Sequence, residues 1–202
     1  MYPEVQQEVY AQVEQVVRSR SKFGYSDFNA INLVECVFLE GLRMYPVVSH
    51  ISRVATKDSV VSVAHNGPDA NENPREDFFI PNGANIWLSI TAVHFNSTYW
   101  PEPEKFRPKI FLEPYNKDVF LLFSIGPRSC LGRRFAEIEG IVALAMLIER
   151  YEIKVDEKKF PVIPGESTLL LPNKKREARL LNPVQQATLS PTRLPFVFKR
   201  RY

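Results

Sequence analysis

The sequence predicts a mixed fold in which α-helices alternate with short β segments. Three observations carry this expectation. Apolar residues recur at helical spacing near 3–18, 31–42 and 133–151. Short runs of β-branched or aromatic residues stand at 50–64, 86–90 and 196–198. Sixteen prolines against eight glycines punctuate the chain with rigid extended connections rather than flexible hinges.

In the first helix Val5, Val9, Val13, Val16 and Val17 share one side, and Pro3 suits the first turn, where a missing N–H costs nothing. A loop follows from Ser19 to Tyr25. Asp27 or Asn29 is placed to cap the second helix, whose apolar set is Ile31, Val34, Val37, Phe38 and Leu42. Pro46 ends that helix, because the residue before a proline is pushed out of the α region. Ile51, Val54, Val60, Val61 and Val63 read as β, with a turn at Lys57-Asp58. Residues 66–77 read as a polar loop inserted within the domain. Pro81-Asn82-Gly83 signals a turn before the apolar run Ile86 to Ile90. Four prolines and many aromatics between Asn96 and Tyr115 indicate ordered coil, since disordered linkers lack such aromatic content. A long helix from about Arg133 to Tyr151 carries Phe135, Ile138, Ile141, Val142, Ala145 and Ile148 on one side. The remainder alternates β-like runs, Leu169 to Leu171 and Phe196 to Phe198, with polar loops.

Composition excludes several classes. A chain of 202 residues can bury roughly 70% of its unfolded surface, and its apolar and charged fractions argue against disorder throughout. A net charge of +3 is too small to argue for nucleic acid; Lys199, Arg200 and Arg201 read as a solvated basic tip. Cys36 and Cys130 make neither a disulfide framework nor a C-x-x-C pair. A reducing compartment is expected, with at least one cysteine kept for its reactivity. Cys36 reads as a small buried apolar residue. No signal peptide opens the chain, and Ile141 to Ile148 is far short of the ~20 residues that span a bilayer. The chain as written is therefore expected to be soluble or at most peripheral.

The informative segment is Phe123-Ser124-Ile125-Gly126-Pro127-Arg128-Ser129-Cys130-Leu131-Gly132-Arg133-Arg134. It delivers one cysteine to the start of a long helix. Its glycines permit backbone conformations closed to other residues and allow close approach of a flat ligand. The helix dipole and Arg128, Arg133 and Arg134 favour the thiolate. Such a thiolate is either a nucleophile or a metal ligand. No histidine lies near it in sequence to serve as a base. His50, His65 and His94 show no metal-ligand spacing with one another or with Cys130, which disfavours zinc.

The pattern F-x-x-G-x-R-x-C-x-G, with six fixed positions in ten residues, resembles the haem-binding loop of the cytochrome P450 family of haem-thiolate monooxygenases. The resemblance implies haem b as cofactor and Cys130 as the axial ligand of its iron. It implies that Arg128 pairs with a haem propionate and Phe123 packs beside the sulfur. Gly126 and Gly132 would let the backbone pass beneath the ring. Glu40-Gly41-Leu42-Arg43 places a carboxylate and a guanidinium on one helical face. Alone this spacing is a weak signal, since surface pairs contribute under ~1 kcal/mol. In the family it is a buried pair that braces the haem-side core, a structural role. Arg53 stands where the family often carries a second propionate-binding arginine. The family usually writes F-x-P-x-R-F, whose arginine completes a triad with that pair. Phe106-Arg107-Pro108-Lys109-Ile110-Phe111 puts Ile110 at that position, leaving Arg107 or Lys109 to reach across.

The resemblance extends from about residue 2 to 170. It implies a mainly α fold with small β-sheets (α+β), the C-terminal half of the cytochrome P450 fold, as one incomplete domain over residues 1–202. The distal half carries the family's membrane anchor, most of its substrate pocket and its oxygen-side helix, and it has no counterpart here. No catalytic residue is therefore assigned. The implied reaction is insertion of one oxygen atom of O2 into an apolar organic substrate. Electrons would come from a flavoprotein reductase docking on the cysteine side, beside Arg128, Arg133 and Arg134. Pro46 to Ile51 and Gly165 to Thr168 correspond to family regions that touch substrate. Two alternatives stand beside this reading: a haem-thiolate isomerase or dehydratase, and a non-enzymatic truncated product with at most partial haem binding. Full-length relatives are expected at the endoplasmic reticulum membrane on its cytoplasmic face, and this chain, without an anchor, in the cytoplasm.

Overall fold

A computed structural model describes residues 2–19, 25–64, 75–159, 183–185, 189–191 and 195–202. Helix α1 (Pro3–Arg18) has Pro3 in its first turn and buries Val9, Val13 and Val16. A 3₁₀ turn, Tyr25–Ile31, runs directly into α2 (Asn32–Met44). Neither Asp27 nor Asn29 caps α2, because both are wound into the 3₁₀ turn ahead of it; Ile31 holds the N-cap position and contributes no side-chain bond. The cap comes from α1 instead. Gln12 Oε1 accepts the Leu33 N–H at 3.0 Å, and Gln12 Nε2 donates to Asn32 Oδ1 at 2.6 Å. Helix α2 ends where Tyr45, before Pro46, leaves the α region at φ −127°, ψ 68°.

Four strands follow: β1 (His50–Val54), β2 (Ser59–Ala64), β3 (Arg75–Ile80) and β4 (Asn85–Ser89). The antiparallel pair β2–β3 is nested between β1 and β4, which pair with each other, Ile51 opposite Leu88 and Val61 opposite Phe78. Strand β3 takes Arg75, Glu76 and Asp77 from the stretch expected as loop, since opposite Ala64, Val63 and Ser62 they gain ladder partners. Residues 66–74 of that stretch lie outside the described residues. The two connecting turns are tied together: Asp58 Oδ1 accepts the Asn82 N–H, and Gly83, at φ +82°, donates to Ala55 O. A positive φ there is why the turn needs glycine.

Helix α3 (Ile90–His94) is capped by Ser89, whose side chain accepts the Ala92 N–H. The proline-rich stretch after it is ordered coil, as its aromatics predict. Trp100, Val119 and Phe120 bury themselves with Leu39 in a core of their own, flanked by Phe111, Tyr115 and Phe123. The other core joins α1, α2 and α4 (Arg133–Arg150) through Val9, Val13, Ile31, Val34, Ile141, Ala145 and Ile148. Glu137, Ile141, Ala145 and Ile148 form the buried seam of α4. Phe135 is not on it. Two residues before Glu137 it lies about 200° around the helix, and it is 71% exposed.

Helix α4 passes directly into β5 (Tyr151–Val155); β6 (Pro183–Gln185) pairs with β7 (Leu189–Pro191), and β5 with β8 (Phe196–Arg200). The expected run Leu169 to Leu171 lies outside the described residues. Gln6 on α1 joins this sheet like a piece of strand, donating to Ile153 O and accepting the Ile153 N–H. Arg201 is not a solvated tip. Its backbone N–H donates to Arg150 O and its Nε to Ile148 O, serving two end carbonyls of α4, and its guanidinium sits 3.7 Å from the centre of the Tyr10 ring. The result is helices with small antiparallel sheets, an α+β arrangement. Among the described residues no helix is long and apolar enough to cross a membrane.

Candidate functional site

The cysteine loop leaves the Trp100 core at Leu121 and enters α4 at Gly132. Leu121 O accepts the Ser124 N–H at 2.9 Å, a tight turn that puts Ser124 in the left-handed region at φ +58°. Gly126, at φ +75°, then opens a short 3₁₀ turn ending at Arg128. The loop closes on itself where the Cys130 N–H donates to Phe123 O at 2.8 Å. Phe123 is anchored on one side by the aromatic core and covered on the other by Arg133, whose guanidinium lies 5.5 Å from the ring centre. Gly132 sits beside the sulfur: a Cβ built there would lie 3.9 Å from Cys130 Sγ.

Cys130 is exposed and free. Its neighbours Ile125, Leu131 and Phe135 are exposed too, and Leu131 wholly so. Exposed apolar side chains before and after the exposed sulfur in the chain suit a flat apolar ligand rather than water. Among the described residues no group of three or more His, Cys, Asp or Glu side chains could hold a metal ion. The donor set here is one sulfur, which fits a metal whose other ligands come from a prosthetic group.

The charges around the loop differ from the sequence reading. Arg133 Nε lies 2.9 Å and Arg134 Nη1 3.7 Å from the Glu137 carboxylate, which is nearly buried on the α4 seam. Glu137 thus takes up two of the three arginines expected to make this side positive. Arg128 is exposed at the end of its 3₁₀ turn, two residues before the cysteine.

Behind the loop Glu40 and Arg43 meet at 1% and 2% exposure. Arg43 Nε and Nη2 donate to the two carboxylate oxygens at 2.7 and 2.9 Å; Nη1 donates to His94 O at 2.8 Å and Nη2 also to Lys105 O at 3.4 Å. Phe95 and Trp100 rings lie 5.7 and 5.4 Å from the guanidinium carbon. Neither Arg107 nor Lys109 reaches across. Arg107 turns its guanidinium to Pro101 O and Glu102, and Lys109 pairs with Glu8 on α1. The missing arginine is replaced by backbone: the Arg107 N–H donates to Glu40 Oε1 at 2.8 Å. A main-chain donor needs no particular side chain, so the sequence carries no sign of it.

His94 is the residue that sequence reasoning missed. It is fully buried, its Nδ1 donates to Arg43 O at 3.0 Å, and its Nε2 accepts the Leu121 N–H at 3.1 Å. Its ring stacks on Phe120, centroids 5.4 Å apart. Burial above all, with the Arg43 charge adding, pushes it down to about 4. Only a fold that brings α2, α3 and the cysteine loop together creates this role.

Arg53 stands on β1 opposite Ile86, exposed, with Nη1 donating to Ser52 O. Cys36 is buried on α2; burial first, then the Glu35 charge, pushes its thiol up to about 11, which suits packing rather than reactivity.

Comparison with known proteins adds the family. The model of the family described as cytochrome P450 matches residues 1–180. Cytochrome P450 monooxygenase 124 of Postia placenta is 34% identical, over 100% of this chain and 37% of its own. Cytochrome P450 3A6 of Oryctolagus cuniculus is 31% identical, over 86% of this chain and 33% of its own. Lithocholate 6-beta-hydroxylase of Mesocricetus auratus is 27% identical, over 78% and 29%. The chain spans about a third of the length of these curated relatives.

Proposed function

This chain belongs to the cytochrome P450 family, and we propose that it is the C-terminal, thiolate-bearing half of a haem-thiolate monooxygenase acting on an apolar organic substrate. One observation carries the reading: the exposed Cys130 sulfur, on a loop pinned by Phe123 O, is flanked along the chain by exposed Ile125, Leu131 and Phe135. Covering that apolar surface with a haem face would gain about 25 cal/mol per Å2. Cys130 would be the axial ligand, Arg128 and Arg53 the propionate partners, and Gly126 and Gly132 the positions where backbone passes closest to the ring. The buried Glu40–Arg43 pair braces the core behind the loop without touching the reaction.

Haem bound there would supply an iron whose thiolate ligand favours O–O cleavage. The chain's own part is to hold the sulfur, satisfy its surrounding backbone and exclude water on the proximal side. An acidic flavoprotein reductase would meet Arg128 on the cysteine side, with less help from Arg133 and Arg134 than their number suggests. Residues 1–202 would form one domain completed by chain outside them, which would supply the oxygen side.

The test is the spectrum of the haem-loaded protein, reduced and exposed to carbon monoxide. A thiolate-type red-shifted Soret band that disappears in Cys130→Ser is expected. An unchanged spectrum in that variant, or no such band in the unmodified protein, overturns the proposal.

A further inference from the structure

We propose that His94 is a positioning residue for the cysteine loop, a side chain that ties the buried Glu40–Arg43 pair to the backbone that aims Cys130. This rests on Cys130 being the iron ligand. The connection is continuous. Arg43 O accepts from His94 Nδ1, and His94 Nε2 accepts from the Leu121 N–H. Leu121 O then holds Ser124 in its left-handed turn, and Phe123 O, between them, accepts the Cys130 N–H. A carbonyl can only accept and an N–H can only donate, so both bonds require one ring form: neutral, with the proton on Nδ1. Phe120 flat against the ring and Trp100 at its edge fix its plane. Leu121 is itself buried, so an unaccepted N–H there would drive the turn to rearrange.

The two halves of the ring can be tested separately. Glutamine places an acceptor near the Nε2 position, which faces Leu121; asparagine places a donor near the Nδ1 position, which faces Arg43. Glutamine is close to histidine in volume and asparagine one methylene smaller, so His94→Leu, as bulky as histidine but with no acceptor for Leu121, is the packing control. A purely structural histidine predicts similar spectra for His94→Gln and His94→Leu. The experiment uses the haem-loaded protein, reduced and exposed to carbon monoxide, for the unmodified chain, His94→Gln, His94→Asn, His94→Leu and Cys130→Ser. The expected result is that His94→Gln keeps the red-shifted thiolate band, while His94→Asn and His94→Leu shift part of the absorption to the shorter-wavelength form that has lost thiolate ligation. Equal spectra in His94→Gln and His94→Leu, with the band present in the unmodified protein and lost in Cys130→Ser, overturn the His94 assignment and leave the haem reading standing. No thiolate band in the unmodified protein overturns both. Should no His94 variant accumulate with haem, the ¹⁵N chemical shifts of the His94 ring in the unmodified ferrous carbonyl protein decide. A proton on Nδ1 with Nε2 hydrogen-bonded as acceptor supports the assignment, and a proton on Nε2 overturns it.

Discussion

Arg43 and His94 hydrogen-bond each other in both directions: Arg43 Nη1 donates to the His94 carbonyl, and His94 Nδ1 donates to the Arg43 carbonyl. This reciprocal contact locks the end of α2 to the end of α3. It also explains why the Glu40–Arg43 pair can be dry. Each nitrogen of the guanidinium is answered by a carboxylate or a carbonyl, and aromatic rings lie beside it.

Breaking that pair is expected to be expensive. Glu40→Gln leaves the Arg43 charge buried without a counter-charge, at a cost of about 3–5 kcal/mol. Arg43→Lys should lose a similar amount, because an ammonium is a point donor that cannot span both Glu40 oxygens and two carbonyls. Denaturant unfolding measures both. A loss below ~1 kcal/mol, the value for a surface pair, would contradict the burial.

His94 makes stability depend on pH. Its folded value of about 4 lies below the ordinary 6.5, so between these limits the unfolded chain binds a proton that the folded chain refuses. Stability therefore falls as pH is lowered from 6.5 toward 4, by an amount on the order of 3 kcal/mol over the whole window. Between pH 7 and 5 the thermal midpoint should drop more steeply in the unmodified protein than in His94→Gln. Parallel slopes would remove His94 as the cause.

Gly140 of α4 faces the Phe38 ring of α2, with no room for a methyl group between them. Gly140→Ala would gain about 1 kcal/mol of helix propensity and lose about 1–3 kcal/mol to overpacking. The expected net result is a lower thermal midpoint, restored when Phe38→Leu is added in the same chain. A rise in the single variant would show that the two helices can separate freely.

The cap of α2 supplied from α1 is open to a direct comparison. Gln12→Ala should cost about 1 kcal/mol, the usual loss for an N-cap acceptor. Gln12→Glu should cost less, since its carboxylate still accepts near the positive end of the helix. Asn29→Ala, at the exposed position suggested by local sequence, should change stability by less than about 0.5 kcal/mol. The reverse order in the unfolding midpoints would place the cap back in the 3₁₀ turn.

Local rules were enough for what local chemistry controls. Valines at helical spacing, Pro3 at one helix start, Pro46 beyond another helix end and Gly83 in its turn all read correctly, because each depends on its own backbone or immediate neighbours. The seam of α4 was legible apart from Glu137, a carboxylate that local polarity places outside, and Phe135, whose size argued for burial that its angular position forbids. The ordered aromatic coil was legible as order but not as architecture, since nothing in its composition says that Trp100 and Phe120 meet Leu39.

What the sequence by itself determined is the cysteine in its glycine-shaped loop, and the family to which that loop belongs. What only the tertiary structure decided is how the loop is supported. Gln12 replaces the local cap, the Arg107 N–H stands in for a missing arginine, and His94 joins Arg43 to Leu121. The physical reason is the same in each case. A buried charge or backbone group accepts any partner of the right polarity and direction, and the folded chain can bring that partner from tens of residues away without any mark in the sequence between.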